Sequence, residues 1–440
     1  MTSTAGRIDL PFDLEQYPYL KNIIEKAYGN GIVYKSSVNG SHDTNWTKEY
    51  ELFYNTQPNS APYVKRIFFG LSGEKKKRAG FVNIRPRTEA SEVCETYLIP
   101  PIGLAEGHGA YVKCLDEHAI YGEKIRCVPY IMPETIFGMC IHAAIWICLK
   151  ILENKSMIQK AMSIPEIQTL ATGHPYSDKS GLVFVQAARI LKMCRTSVFY
   201  IINVETPQLT DDEMLMEIYS YIESGLPVIV GVDVADLAWW DHHPRGYHSI
   251  VSIGHTMKDN QISGFVFHDE SVLPYQILSI GELLNAWHTP SSAHLRHKTR
   301  EMLVAVPPEV SLPFHKVYYE FEEILDDLSK RHLTSLALNG LAIRPILQTP
   351  TEAFLMTKNM LMFRTLQETG FPSYVWVFYF FNEGADRENI QNAAGFFIRD
   401  ATARTNLKFI YLKEEKQAIY HIEDRVYKVR EDYTRKIRLR

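Results

Sequence analysis

The sequence predicts an α+β protein, because its strand-like and helix-like runs are grouped along the chain rather than strictly alternating. The first stretch is rich in β-runs, the middle carries several capped helices followed by strands, and the last opens with helices before turning to strands. At 440 residues the chain is too long for one ordinary core. Three blocks are expected: a β-rich α+β module over 1–125, a central domain over 126–305, and a C-terminal α+β module over 310–440, preceded by the Pro-containing "AVPPEVSLP".

In the first block, "YPYLKNIIEKAYGNG" reads as a short helix stopped by glycine. "VKRIFFGLS" and "AGFVNIRP" read as a hairpin joined by the charged turn "GEKKKR", and "SEVCETYLIPP" as a further strand. The central block begins with "PETIFGMCIHAAIWICLKIL", the most apolar segment, read as a buried helix. "SIPEIQTLATG" has Ser163 as N-cap, Pro165 early, Glu166 at the capping-box position and Gly173 as stop. "GLVFVQAARILKMC" shows helical spacing, "RTSVFYIINV" is a strand, and Thr210 with Glu213 form a second capping box ahead of a helix that Gly225 closes. "LPVIVGVDV" is a buried strand, and "YHSIVSIGHT" and "SGFVFHDE" are two strands joined by "MKDNQI". In the third block "VYYEFEEILDDLSKRH" and "EAFLMTKNMLMFRTLQETG" are helical by pattern, followed by the strands "SYVWVFYFF", "GFFIRDAT", "LKFIYL" and "QAIYHIED".

Composition narrows function by exclusion. Net charge is −4, which argues against an electrostatic nucleic-acid binder, and the basic runs 73–78 and 433–440 read as a solvated turn and tail. The N-terminal residues lack the pattern of a secretion signal, and the longest apolar run, 136–149, is shorter than the ~20 residues a bilayer span needs. No membrane insertion is expected. Six scattered cysteines without a disulfide framework point to free thiols in a reducing, cytoplasmic compartment, so that sequons at Asn39 and Asn45 are chance matches.

The chemistry centres on Cys140. A cysteine acts as a nucleophile in its thiolate form, which a helix N-terminus and a neighbouring imidazolium both favour. Cys140 follows Gly138 at the expected first turn of the apolar helix, where unpaired N–H groups stabilise an anion. His248 opens one strand of the expected hairpin and Asp269 closes the other. In an antiparallel hairpin the start of one strand lies beside the end of the next, so a carboxylate can accept from one ring nitrogen while the other faces the thiol.

In order and phrasing the chain resembles the papain-like cysteine peptidases, specifically the bacterial group that cleaves double-glycine leader peptides. The similar phrases are "GMCIHAA", "GLPVIVGV", "GYHSIVSIGH" and "FVFHDES", spanning roughly residues 130–290. The resemblance implies a helix bundle packed on an antiparallel sheet, with Cys140 as nucleophile, His248 as general base and acid, and Asp269 as its orienter. It also implies an oxyanion-hole side chain six residues before the cysteine, where the family has glutamine and this chain has Glu134. Met139 and Ile141 stand where the leader peptidases favour Asp and Gly.

The expected activity is hydrolysis of a peptide or isopeptide bond in a protein or peptide substrate, through an acyl-enzyme and with no metal or organic cofactor. Two alternatives stay open: an acyl transferase of the same fold (transglutaminase-like), and an inactive papain-like interaction protein, which Glu134 favours. The flanking modules would shape substrate entry or recruit a protein partner. In the loop "DLAWWDHHPRGYH", Trp239, Trp240, His242 and His243 are candidates for lining a substrate cleft, or for packing an ordered surface loop. His242, His243, His248, His268 and Asp269, like His108, Cys114, His118 and Cys127, lack the regular spacing of a zinc motif. No phosphate-binding loop is present, since "GLSGEKKKRAG" does not match one.

Overall fold

The protein is described by a computed structural model over residues 17–28, 32–35, 65–71, 78–84, 93–101, 104, 109–120, 123–132, 139–173, 181–203, 209–237, 246–287, 300–330, 341–382, 384–414, 416–422, 425–430 and 437–439. Asn39, Asn45, Glu134, Trp239, Trp240, His242 and His243 lie outside the described residues. The fold is mixed α+β, and every strand pair whose direction is defined is antiparallel. Among the described residues, no helix is long and apolar enough to cross a membrane.

Residue contacts divide the chain into two compact units where the composition suggested three blocks. The first contains 1–208, 226–258 and 262–305; the second contains 209–225, 259–261 and 306–440. The first unit absorbs the N-terminal block because hydrogen bonds tie that block to the central sheet. Strand Ala110–Val112 pairs with the outer part of strand Tyr247–Lys258, Gly254 opposite Val112. A Cβ at Gly254 would stand 2.5 Å from the Tyr111 carbonyl oxygen, so this close approach requires glycine. Deeper in, the Tyr275 hydroxyl donates to the Leu98 carbonyl (2.7 Å) and accepts from the Val128 N–H (3.0 Å).

The central sheet runs in the order Leu273–Ser279, Gln261–Asp269, Tyr247–Lys258, Val228–Asp233, Arg300–Val306, Ser197–Asn203. The histidine strand, Tyr247–Lys258, is long because Val228–Asp233 pairs its first half and Ala110–Val112 its second. It turns into the aspartate strand, Gln261–Asp269, through Asp259 and Asn260, both at positive φ. That pair of left-handed residues is what a two-residue hairpin turn requires. The Thr256 and Ser263 hydroxyls, 2.9 Å apart, fix the register beside the turn. Against the histidine strand packs the helix Cys140–Asn154, buried on almost all sides. Its 15 residues span about 22 Å at ~1.5 Å per residue, so its apolarity serves the core. Ser163/Glu166 and Thr210/Glu213 form the expected capping boxes, and Gly173 ends its helix at φ 80°.

The second unit is a seven-stranded meander, Ala342–Gln348 through Ile437–Leu439 in sequential order, with helices Asp211–Glu223 and Phe314–Lys330. Helix Asp211–Glu223 belongs here because it packs on strand Ala342–Gln348: Glu223 binds Arg344 at 2.6 Å, and the Ser224 hydroxyl accepts from the Leu347 N–H at 2.7 Å. Three details differ from the sequence reading. "EAFLMTKNMLMFRTLQETG" forms two helices, Pro350–Thr357 and Met360–Glu368, because Lys358 turns left-handed and Asn359 caps a new N-terminus by accepting from the Met362 N–H. Strand Ala342–Gln348 escapes the pattern because of Pro345, tolerated at a sheet edge where one side of the strand has no ladder to donate into. The basic end of the chain, read as a solvated tail, includes the strand Ile437–Leu439.

Candidate active site

Cys140 is the first residue of its helix, preceded by Met139 with no side-chain cap. The helical ladder begins with the Ala143 N–H donating to the Met139 carbonyl at 3.0 Å. The N–H groups of the helix's first turn, ahead of Ala143, lie outside that ladder, and together with the helix dipole they create positive potential at the sulfur. Cys140 is partly exposed, whereas the residues following it are buried. All six cysteines are free thiols. Burial pushes the Cys114 thiol up to about 12 and the Cys194 thiol up to about 11, and raises those of Cys127 and Cys148 as well. Those four are poor nucleophiles.

His248, 4% exposed, meets the fully buried Asp269 at 2.9 Å, Nε2 to Oδ1. Asp269 Oδ1 also accepts from the Ser271 N–H at 3.1 Å. As an acceptor, this carboxylate places the ring proton on Nε2 and leaves Nδ1 for the thiol. The ligating atoms of Cys140, His248 and Glu270 all lie within 4.8 Å of one another. The structure thus brings together all three residues of the expected Cys–His–Asp set.

It adds a fourth. Glu270, 1% exposed, sets Oε1 at 3.8 Å from His248 Nδ1 and accepts from the Ser271 hydroxyl at 3.0 Å. Strand alternation sends consecutive side chains to opposite faces, which is why Glu270 escaped the sequence reading. The aspartate strand ends at Asp269, however, and Glu270 is the first residue of the following turn, so both carboxylates reach one imidazole. The "DES" sequence, with a serine able to turn the chain, was the available signal. Pairing with strand Leu273–Ser279 is irregular between Phe267 and Asp269, and Tyr275 adopts a left-handed φ of 58°. This non-glycine strain lies in the support of the aspartate: the Tyr275 N–H donates to His268 Nδ1 (3.1 Å), and the Tyr130 hydroxyl donates to the Asp269 carbonyl (3.0 Å). Burial lowers the His268 ring to about 3, so it stands neutral as part of the framework.

The electrostatics follow from this crowding. Burial opposes a charged His248 ring, but Glu270, then Asp269, the bond to Asp269 and the bond to the Cys140 thiol together hold it well above the usual imidazole range. Burial pushes Glu270 up to about 7; the imidazolium pulls it down, and the Asp269 charge adds to the rise. Next to His248, Tyr247 lies across Gly231, where a Cβ would fall 2.5 Å from its hydroxyl oxygen. That hydroxyl donates to Glu301 at 3.1 Å, as the Tyr200 hydroxyl does at 3.2 Å.

Comparison of the chain with models of known protein families gives no match, and comparison with curated proteins gives none.

Proposed function

We propose that this chain is a cysteine hydrolase with a papain-like core, cleaving a peptide or isopeptide bond in a protein or peptide substrate. One observation carries the reading: a single buried imidazole links a thiol at a helix N-terminus to a buried carboxylate on a neighbouring strand. With the Cys140 proton already held on His248 Nδ1 as a thiolate–imidazolium pair, the sulfur attacks the carbonyl carbon, forming the C–S bond. The helix-tip N–H groups stabilise the oxyanion. The C–N bond then breaks as His248 protonates the departing amine, leaving a thioester. His248 next takes a proton from water, the resulting hydroxide attacks the thioester, and the acid product leaves with the thiol restored. Asp269 keeps the ring in the required tautomer throughout. The free thiols support a reducing, cytoplasmic setting.

A panel of peptide aldehydes and vinyl sulfones, read by mass spectrometry of the intact chain and its fragments, tests the proposal. The expected result is one adduct on Cys140, lost in Cys140→Ala and reduced to the rate of the other thiols in His248→Ala. Labelling spread evenly over the six cysteines would sink it and leave an interaction protein as the better reading.

A further inference from the structure

Cys140, His248 and Glu270 offer one sulfur, one nitrogen and one oxygen, all within 4.8 Å of one another. Bonds to tetrahedral zinc of ~2.0–2.3 Å place neighbouring ligand atoms about 3.3–3.8 Å apart. Nitrogen and oxygen ligands at ~2.0–2.2 Å lie about 3.3–3.6 Å apart, so the His248 Nδ1–Glu270 Oε1 distance of 3.8 Å must close by a few tenths of an ångström and the sulfur, within 4.8 Å of both, by about 1.3 Å at most.

The surroundings fit a cation as well as the three ligands do. Metal-bound histidines characteristically donate their far nitrogen to a carboxylate, and His248 Nε2 does so to Asp269 at 2.9 Å. Glu270 is itself held by the Ser271 hydroxyl at 3.0 Å. Two buried carboxylates and a thiol surround a single imidazole, an excess of negative groups that a divalent ion would offset. The mixed sulfur, nitrogen and oxygen set suits Zn²⁺ and not Mg²⁺ or Ca²⁺, which take oxygen ligands. Cys140 is the partly exposed member of the three, so it marks the side from which an ion would enter.

We propose that Cys140, His248 and Glu270 form a Zn²⁺ site, and that the bound ion reversibly silences the thiol. Binding replaces the thiol proton, which leaves to solvent, with a sulfur–zinc bond, and occupies the Nδ1 lone pair that would otherwise take that proton. Metal binding and nucleophilic attack use the same two lone pairs and exclude each other. The silencing rests on the hydrolase reading, whereas the metal site does not.

The full-length chain, reduced and stripped with EDTA, is titrated with ZnCl₂ and separately with CoCl₂. A single ion per chain is expected, with a sulfur-to-cobalt charge-transfer band in the cobalt form. Zinc should slow alkylation of Cys140 at least about tenfold, and EDTA should restore it. Glu270→Gln and Asp269→Asn should each weaken zinc binding about 10–100-fold, and Cys140→Ser should abolish the band. The cobalt experiment needs no variant: a wild-type chain without that band overturns the site, as does zinc binding that Cys140→Ser leaves unchanged. Electrophile adducts formed in EDTA, with labelling indifferent to zinc, sink the metal site alone. Zinc binding with no adduct or turnover in EDTA sinks the hydrolase reading and keeps the site.

Discussion

Each unit of the molecule buries a group of charges, and the two groups are built differently. In the second unit Glu223 meets Arg344 at 2.6 Å, the Glu388 carboxylate stands 3.7 Å from the same guanidinium, and that guanidinium donates to the carbonyls of Arg387 and Glu388 at 3.0 and 2.8 Å. The fully buried Glu217 likewise meets the His315 ring and accepts from the His315 backbone N–H at 2.8 Å. The guanidinium fork is spent on fixed acceptors. In the first unit one imidazole is flanked by two buried carboxylates and a partly exposed thiol, an arrangement with more anionic groups than cationic ones. A charge group whose donors are spent on fixed acceptors holds a fold together. One that sets a partly exposed thiol beside an imidazole and two acids is arranged to move a proton or hold a cation.

The sharpest way to break the comparison is to damage each group without removing a side chain's bulk. Asp269→Asn keeps the shape at the imidazole but can donate to Nε2, favouring the wrong tautomer. The expected loss in turnover is about 10⁴-fold, with the thermal midpoint little changed. A variant that stays within about tenfold of wild type in turnover would show that Asp269 does not orient the ring.

Glu223→Gln should do the reverse. It leaves the buried Arg344 with only the more distant Glu388 carboxylate, and removal of one partner from a buried pair costs up to about 3–5 kcal/mol. Denaturant unfolding should register that loss, with electrophile labelling of Cys140 in the folded chain unchanged. Adding Arg344→Met should recover only part of it, since the Arg387 and Glu388 carbonyls also lose their donor. Unchanged stability in Glu223→Gln would mean the second group is not the structural pair its geometry describes.

Much of this architecture is legible in the residues. The capping boxes at Ser163 and Thr210 are local chemistry and fold as read, and so does the hairpin, whose turn residues Asp259 and Asn260 tolerate positive φ. His248 and Asp269 could be paired in advance because a hairpin converts sequence separation into proximity. Glu270 could not, because its placement depends on where a strand stops, which alternation alone does not mark. Nor could the supporting hydrogen bonds of two tyrosines: Tyr130 reaches the aspartate carbonyl from 139 positions away, and Tyr275 reaches Leu98, 177 positions away. Pro345 hid a strand for a related reason: its tolerance depends on lying at the sheet edge, a property of the assembled fold.

The smallest expected effect tests whether the surplus acid matters to the imidazole. The Glu270 charge joins the Asp269 charge and hydrogen bond in keeping the His248 ring protonated. Glu270→Gln is nearly isosteric, and its amide oxygen can still accept from the Ser271 hydroxyl, so what changes is the charge. With a negative group gone, the imidazolium is less favoured and the ring gives up its proton at lower pH. The His248 ring signals in an NMR titration should therefore shift their midpoint downward, and the alkaline limb of turnover, where the general acid is lost, should move the same way. The effect should be plainest above about pH 7, where the wild-type carboxyl is ionised, and should fade below it, where Glu270 is protonated and resembles the amide. A midpoint that stays put or rises would mean the Asp269 bond alone sets the ring's charge, and the two groups would then differ less than their geometry implies.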